Sequence, residues 1–324
     1  MKKIIFISFI IALVGVLSIS CEKEDNKDVQ VKVDKPYTNE SYIIYESNEE
    51  FMNKLVEIAN MTHEERKNYE IANGYMSFGR YCDEFYENID FEKFDTQEDI
   101  IRFVDNNKMY LELIKEENGE FTVEAKYYDK FTRYMYGINK TFVIKDIAYK
   151  VFDECFIACN IADVSELSNI TEKNYNNFID NKKFVTIKSN SIMTKDVAVN
   201  NGKEKTAIST TGNNRTKSMA IIELGPPLLN YQATCYAGAK VRPLKRTLGI
   251  WFQCYRTIEL RTNFDVHYKV GNNWYSQGFG KNEVKYGSVL EFSITIPGFV
   301  DDAHFGPVYV YGDTPDTHPA IINY

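Results

Sequence analysis

Ile250-Trp251-Phe252-Gln253-Cys254-Tyr255-Arg256-Thr257-Ile258-Glu259-Leu260-Arg261 runs without a break into Thr262-Asn263-Phe264-Asp265-Val266-His267-Tyr268-Lys269-Val270. Ile250, Phe252, Cys254, Ile258 and Leu260 fall on one side of an extended backbone, and Phe264, Val266, Tyr268 and Val270 continue the alternation. Successive side chains of a strand point to opposite faces, so a period of two means a strand with one apolar face. The same period recurs outward in both directions. Leu229, Tyr231, Ala233, Cys235, Ala237 and Ala239 precede this run; Leu290, Phe292, Ile294 and Ile296, then Val308 and Val310, follow it. Strand after strand with one apolar face, and no helical period between them, predicts an all-β, sandwich-like domain over residues 219–324.

With the apolar set turned inward, Tyr236, Trp251, Tyr255, Tyr309 and Tyr311 turn outward, beside Gln253, Thr257, Glu259 and Arg261. These five aromatics are the candidate binding residues. Large rings on a solvated face stack on sugars or anchor a protein partner. The competing reading covers the same face with the N-terminal domain or a second sheet, because aromatic residues are ordinary in strands. The exposure of Trp251 separates the two.

Upstream the period changes. Ser47 with Glu50 reads as a capping box before Phe51, Leu55, Ile58 and Ala59 at helical spacing, and Thr62 with Glu65 opens a second helix that Gly74 closes. Thr96 and Asp99 introduce a third through Ile100, Ile101, Phe103 and Val104. Met109, Leu111 and Leu113, then Phe121 and Val123, alternate around Asn118-Gly119, which is a hairpin signature. Short strands are expected over 141–145, 148–152 and 155–161, forming a small antiparallel sheet, and Asp163 with Glu166 caps a further short helix. The N-terminal domain, 41–189, is therefore expected to be α+β, with helices followed by that sheet. Residues 190–218 are rich in Asn, Thr, Ser, Lys and Gly and read as a linker.

The chain begins with Lys2, Lys3 and an apolar run from Ile4 to Val16, ending in Leu17-Ser18-Ile19-Ser20-Cys21. Spanning a bilayer takes about 20 apolar residues, and this run is nearer the core of a secretory signal. Residues 1–20 are expected to be that signal, and residues 21–40, polar with few apolar side chains, a tether. Leu17 to Cys21 resembles a bacterial lipobox, and Glu22-Lys23-Glu24-Asp25 resembles the acidic export tag of Bacteroidota-type surface lipoproteins, a group largely of domains of unknown function. The resemblance implies lipid attachment at Cys21, partnership with the membrane through that lipid, and a place in the cell envelope, at the outer membrane and exposed on the cell surface. No reaction comes with it.

The 324 residues carry 46 acidic and 38 basic side chains; removing Lys2 and Lys3 with the signal moves the formal charge from −8 to −10. An acidic body argues against a nucleic-acid partner. Of six cysteines, Cys155 and Cys159 would sit roughly 13 Å apart on one strand, too far to bridge. Cys235 and Cys254 both point to the C-terminal core, either as a disulfide or as free thiols. The motifs of serine hydrolases, zinc peptidases and phosphate-binding loops are missing. Asp301, Asp302 and His304, and Asp313, Asp316 and His318, flank one short strand roughly 15 to 20 Å apart and read as polar loops. No metal and no cofactor is expected. The leading expectation is a non-catalytic module binding a glycan or a protein. A glycan or peptide hydrolase would need carboxylates or histidines converging in one cleft, and a structural or adhesin subunit would need an open sheet edge.

Overall fold

The structure is a computed structural model that describes residues 42–116, 118–127, 131–153, 155–178, 182–188, 204–224, 235–296, 302–314 and 317–323. The expected signal, Cys21, the tether and the first half of the expected linker lie outside these residues. Among the described residues, no helix is long and apolar enough to cross a membrane.

Strand β1 (Tyr42–Tyr45) leads into four helices, α1 (Asn48–Asn60), α2 (His63–Ala72), α3 (Phe78–Glu87) and α4 (Gln97–Asn106). Each starts where a side-chain oxygen takes an otherwise unpaired backbone N–H: Ser47, Thr62, Ser77 and Thr96 accept from Glu50, Glu65, Arg80 and Asp99. Helix α3 was not expected. Its Gly79 reads as a breaker, yet a Cβ there would lie 2.7 Å from the side chains of Arg133 and Tyr134, so the glycine is required by close packing.

The hairpin β2 (Leu111–Lys115) and β3 (Phe121–Ala125) turns at Gly119 with φ of +84°. It is followed by β4 (Thr141–Ile144), β5 (Ile147–Val151), β6 (Cys155–Asn160), the short helix α5 (Val164–Ser168) and β7 (Val185–Lys188). From Glu204 onward the described residues hold strands and turns alone. These strands are β8 (Glu204–Thr211), β9 (Asn214–Leu224), β10 (Cys235–Thr247), β11 (Ile250–Gln253), β12 (Arg256–Val270), β13 (Asn273–Gly287), β14 (Leu290–Ile296), β15 (Asp302–Thr314) and β16 (Thr317–Asn323).

Three sheets result. The first runs β1-β4-β5-β6-β7, with β1 parallel to β4, so it is mixed rather than the antiparallel sheet expected. The second runs β2-β3-β11-β10-β9-β8, with β14 also on β10; the third runs β13-β12-β15-β16. The hairpin β2–β3 therefore leaves its sequence neighbours and ladders onto β11 in parallel, Ile250 opposite Phe121 and Trp251 opposite Thr122. One edge of β10 follows β9; the other is shared between β14 over Cys235–Val241 and β11 over Leu244–Thr247.

Two expectations are corrected by this topology. The decisive run is two strands: Ile250–Gln253 joins the second sheet, the chain turns at Cys254-Tyr255, and Arg256–Val270 joins the third. No glycine or proline marks that turn, so the alternation looks continuous. The second half of the expected linker, 204–218, is strand, and Arg215, Thr216, Lys217 and Ser218 are all buried. The polar composition of 205–214 goes with a largely exposed edge strand and turn, and that of 215–218 with a buried charged joint. Strands of the second and third sheets share one apolar cluster: Ala220, Ala239, Val241 and Leu290 from one, Ile258, Leu260, Val266 and Val310 from the other. Each large aliphatic side chain buried this way is worth about 1.5–3 kcal/mol.

Candidate functional site

Strand parity divides the third sheet into a covered and an open face. Residues 258, 260, 262 and 266 of β12 are buried, and the odd positions face away from them. Register places Tyr286 level with Thr257, Asn282 and Tyr311 with Arg261, Gly280 and Tyr309 with Asn263, His304 with His267, and Trp274 with Lys269. Directly opposite residues share a face, so all of these belong to the open one. Tyr255, Trp274, Val284, Tyr286 and Tyr309 are each at least half exposed.

The middle of this face is a shallow groove of about 710 Å³, lined by Tyr309, Tyr311, Arg261, Asn263, Gly280 and Asn282, with Thr262 and Lys281. The two tyrosines of β15 form one wall. The guanidinium of Arg261 lies 3.7 Å from the Tyr311 ring centre, and its Nε is 2.9 Å from Glu259 Oε1, which fixes the ring and neutralises the cation together. The floor on the β13 side is low because Gly278 and Gly280 point outward. A Cβ on Gly280 would lie 2.9 Å from the carbonyl of Thr262, and one on Gly278 would collide with Asp265 Oδ1. A wall of rings beside an amide-lined trough without side chains at its floor can take a flat polyol ring against an aromatic face and hydrogen-bond its hydroxyls.

At the far end of the face His267 and His304 stack at 5.3 Å, and Trp274 meets His304 edge-on at 5.0 Å. Burial, and then the neighbouring His267 imidazole, push the His304 pKa below the usual histidine value, with Asp302 opposing. Among the described residues no three His, Cys, Asp or Glu side chains gather as metal ligands would. The side chains of Asp301, Asp313, Asp316 and His318 lie outside the described residues.

The expected outward set does not stay together. Tyr309 and Tyr311 belong to the open face, and Tyr255, in the turn before β12, lies 6.4 Å from Tyr286 at its end; the side chain of Tyr236 lies outside the described residues. Trp251, expected outward, is instead 1% exposed. Parity along β11 holds, but both of its faces are covered. Trp251 donates from Nε1 to Glu120 Oε2 at 3.0 Å under the guanidinium of Arg215, 3.9 Å from its ring centre. Glu120 is also paired with Arg215 and, at 3.1 Å, with Arg246. On the other side Phe252 stacks on Phe91 at 3.8 Å, and the Gln253 N–H donates to Tyr86. Trp251 thus cannot reach a ligand on the open face; it belongs to a different sheet from Tyr309 and Tyr311.

The same joint holds Glu124 between Lys217, at 3.0 Å, and Arg242. Burial alone would raise the Glu124 pKa, but the two cations outweigh it and hold the carboxyl down to about 2. Nearby, Arg66 is paired with Glu291, which Lys240 also approaches at 3.5 Å.

Among the described residues, acidic and imidazole groups converge where His63 lies 3.7 Å from Asp83 and 3.6 Å from Glu87. Asp83 already accepts from Arg133 and Tyr134 at 2.6 Å each, and the cavity beside it is about 10 Å³. Ligand pockets are typically about 300–1,000 Å³, so this cluster has no room for a sugar or peptide.

Trp274, Tyr286, Gly278 and Gly280 were missed in sequence. Their signal was present: every outward position from 274 to 286 is even-numbered, and the two glycines fall in that set.

No family model matches the chain, and no curated protein matches it. Among solved structures, a DUF4848 family protein from Bacteroides thetaiotaomicron is 9% identical and aligns over 89% of this chain and 98% of that chain, with a TM-score of 0.30. A score that low carries no argument about fold or function.

Proposed function

We propose that the protein is a non-catalytic glycan-binding module, and that its binding surface is the open face of the sheet β13-β12-β15-β16, backed by the second sheet in a sandwich. The groove between Tyr309, Tyr311 and Gly280 carries this reading. It combines exposed rings with the amides of Asn263 and Asn282 and has a volume in the range of ligand sites. The signal-like residues 1–20 and Cys21 support a second part of the reading: a lipid on Cys21 holds the module at the cell envelope, and residues 22–40 let it reach outward.

The competing structural-subunit reading needs an edge ready to accept a strand. Strand β13 is an edge of its sheet, but Lys281, Glu283 and Lys285 occupy its core-side positions, and inward charges are a device against edge pairing.

Screening the full chain against a glycan array, with Tyr309→Ala as the matched control, tests the proposal. Retention of at least one glycan class by the wild type and its loss in the variant is the expected result. Equal behaviour of the two proteins would remove the groove as the site. Fractionation of a Cys21→Ala variant tests the anchor, which predicts loss of membrane retention or of processing.

A further inference from the structure

We infer that the ligand of this face is an uncharged, chain-like glycan lying along the strands, not a terminal sugar and not an acidic polymer; this deepens the glycan reading and rests on it. The first observation is the spread of the rings. Counted by register along β12, aromatic side chains stand level with residues 257, 261, 263, 267 and 269: Tyr286, Tyr311, Tyr309, His304 and Trp274. At about 3.3 Å per residue, that interval covers roughly 40 Å. A single sugar would use the central groove and leave Tyr286 and Trp274, 67% and 50% exposed, with nothing to contact. Tyr255 adds to the near end, 6.4 Å from Tyr286. Single exposed rings are unremarkable, but a row of them on one side of one sheet defines a track.

The second observation is charge. An acidic glycan needs uncompensated cations, and each cation on this track has an acidic neighbour. Arg261 is paired with Glu259, and Lys269 lies directly opposite Asp302. Asp265 adds a negative charge in the middle of the track, beside Gly278. An anionic chain would meet a neutral-to-acidic surface and lose part of its hydration for no opposite charge. Hydroxyl groups, in contrast, suit Asn263, Asn282 and the paired side chains. The track also has a direction: the raised rings of β15 stand on one side and the glycines of β13 on the other, so a chain is guided parallel to the strands rather than across them.

Affinity electrophoresis of the full chain in gels carrying a neutral β-glucan, xylan or mannan, or the acidic polygalacturonate, tests the inference, followed by titration with oligosaccharides of whichever polymer retards it. A neutral polymer should retard the protein, and affinity should rise with oligosaccharide length before levelling off. Trp274→Ala and Tyr286→Ala should each weaken the long ligand by about tenfold while leaving the shortest one unchanged, whereas Tyr309→Ala should weaken both. Melting curves of all three variants confirm that they are folded. Equal affinity for short and long ligands, or preference for polygalacturonate, overturns the inference and leaves the glycan-binding reading standing. No retardation by any polymer, or self-association abolished by Tyr286→Ala, overturns both, the second by giving the face to another copy of the chain.

Discussion

The face of β11 that carries Trp251 and the face of β15 that carries Tyr309 and Tyr311 have the same local pattern, rings alternating with apolar residues on the other side. One is closed and the other open. Trp251 is covered by Glu120, Arg215 and Arg246, the first of them 131 residues away in sequence. Tyr309 is 52% exposed and borders a groove. Alternation therefore fixes which side chains point together, but not what lies over them. The cover is supplied here by charged residues that look solvated in sequence and pair with one another over the ring, Arg215 being buried outright while Glu120 and Arg246 keep part of their surface in water.

The largest test of this contrast is mechanical. Trp251→Ala should cost about 3–5 kcal/mol in denaturant unfolding, as for a core aromatic. Glu124→Ala should cost a similar amount, about 3–5 kcal/mol, because Lys217 and Arg242 would be left buried without their counter-charge. A loss under about 1 kcal/mol in both would mean that the joint is solvated, and the contrast with the open face would fall.

A smaller effect separates two ways of burying a carboxyl. Glu124 sits between cations; Glu70 instead accepts from the Ser77 N–H at 2.9 Å and its hydroxyl at 2.6 Å. Burial raises the Glu70 pKa to about 7, against the pull of those hydrogen bonds, while Glu124 is held at about 2. The signs are opposite. Stability from Glu124 is present above the ordinary glutamate value and is lost as pH falls through about 2. That from Glu70 is present below the ordinary value and is lost as pH rises through about 7. Each shift corresponds to about 3 kcal/mol. Glu70→Gln should therefore flatten the decline in unfolding free energy between about pH 4.5 and pH 7, and Glu124→Gln should flatten the acid limb instead. An unchanged slope in Glu70→Gln would show that Glu70 is ionised in the fold throughout.

Legibility in the sequence follows the same division. The caps at Ser47, Thr62 and Thr96 were readable because a hydroxyl three residues before an acid is a local device. The alternation from Ile258 to Val266 was readable because its core is apolar. Helix α3 was hidden by Gly79, β9 by its buried Arg215 and Lys217, and the sheet change at Cys254-Tyr255 by the absence of any turn residue. Of the site, Tyr309, Tyr311 and Arg261 were legible as outward-facing. Its floor was not, because Gly278 and Gly280 matter for the side chains they lack, and the ladder that brings β13 beside β12 is set by tertiary structure.

The smallest expected effect is at Tyr309 itself. The side chain lies on the open face, cross-strand from Asn263 and Asn323, with half of its surface in water. Replacing it with Ala removes little buried area, so the transfer and cavity terms that make Trp251 costly are nearly absent. What remains is strand preference, for which Tyr is better than Ala on a scale spanning about 1 kcal/mol. Tyr309→Ala should thus lower unfolding free energy by about 0.5 kcal/mol and by no more than about 1 kcal/mol. Tyr309→Phe keeps the ring and should be neutral. Measured beside Trp251→Ala in the same denaturant series, the pair should differ by at least about 2 kcal/mol. A Tyr309→Ala loss as large as that of Trp251→Ala would mean that the ring is packed in solution, and the face on which the binding proposal rests would then be part of a core.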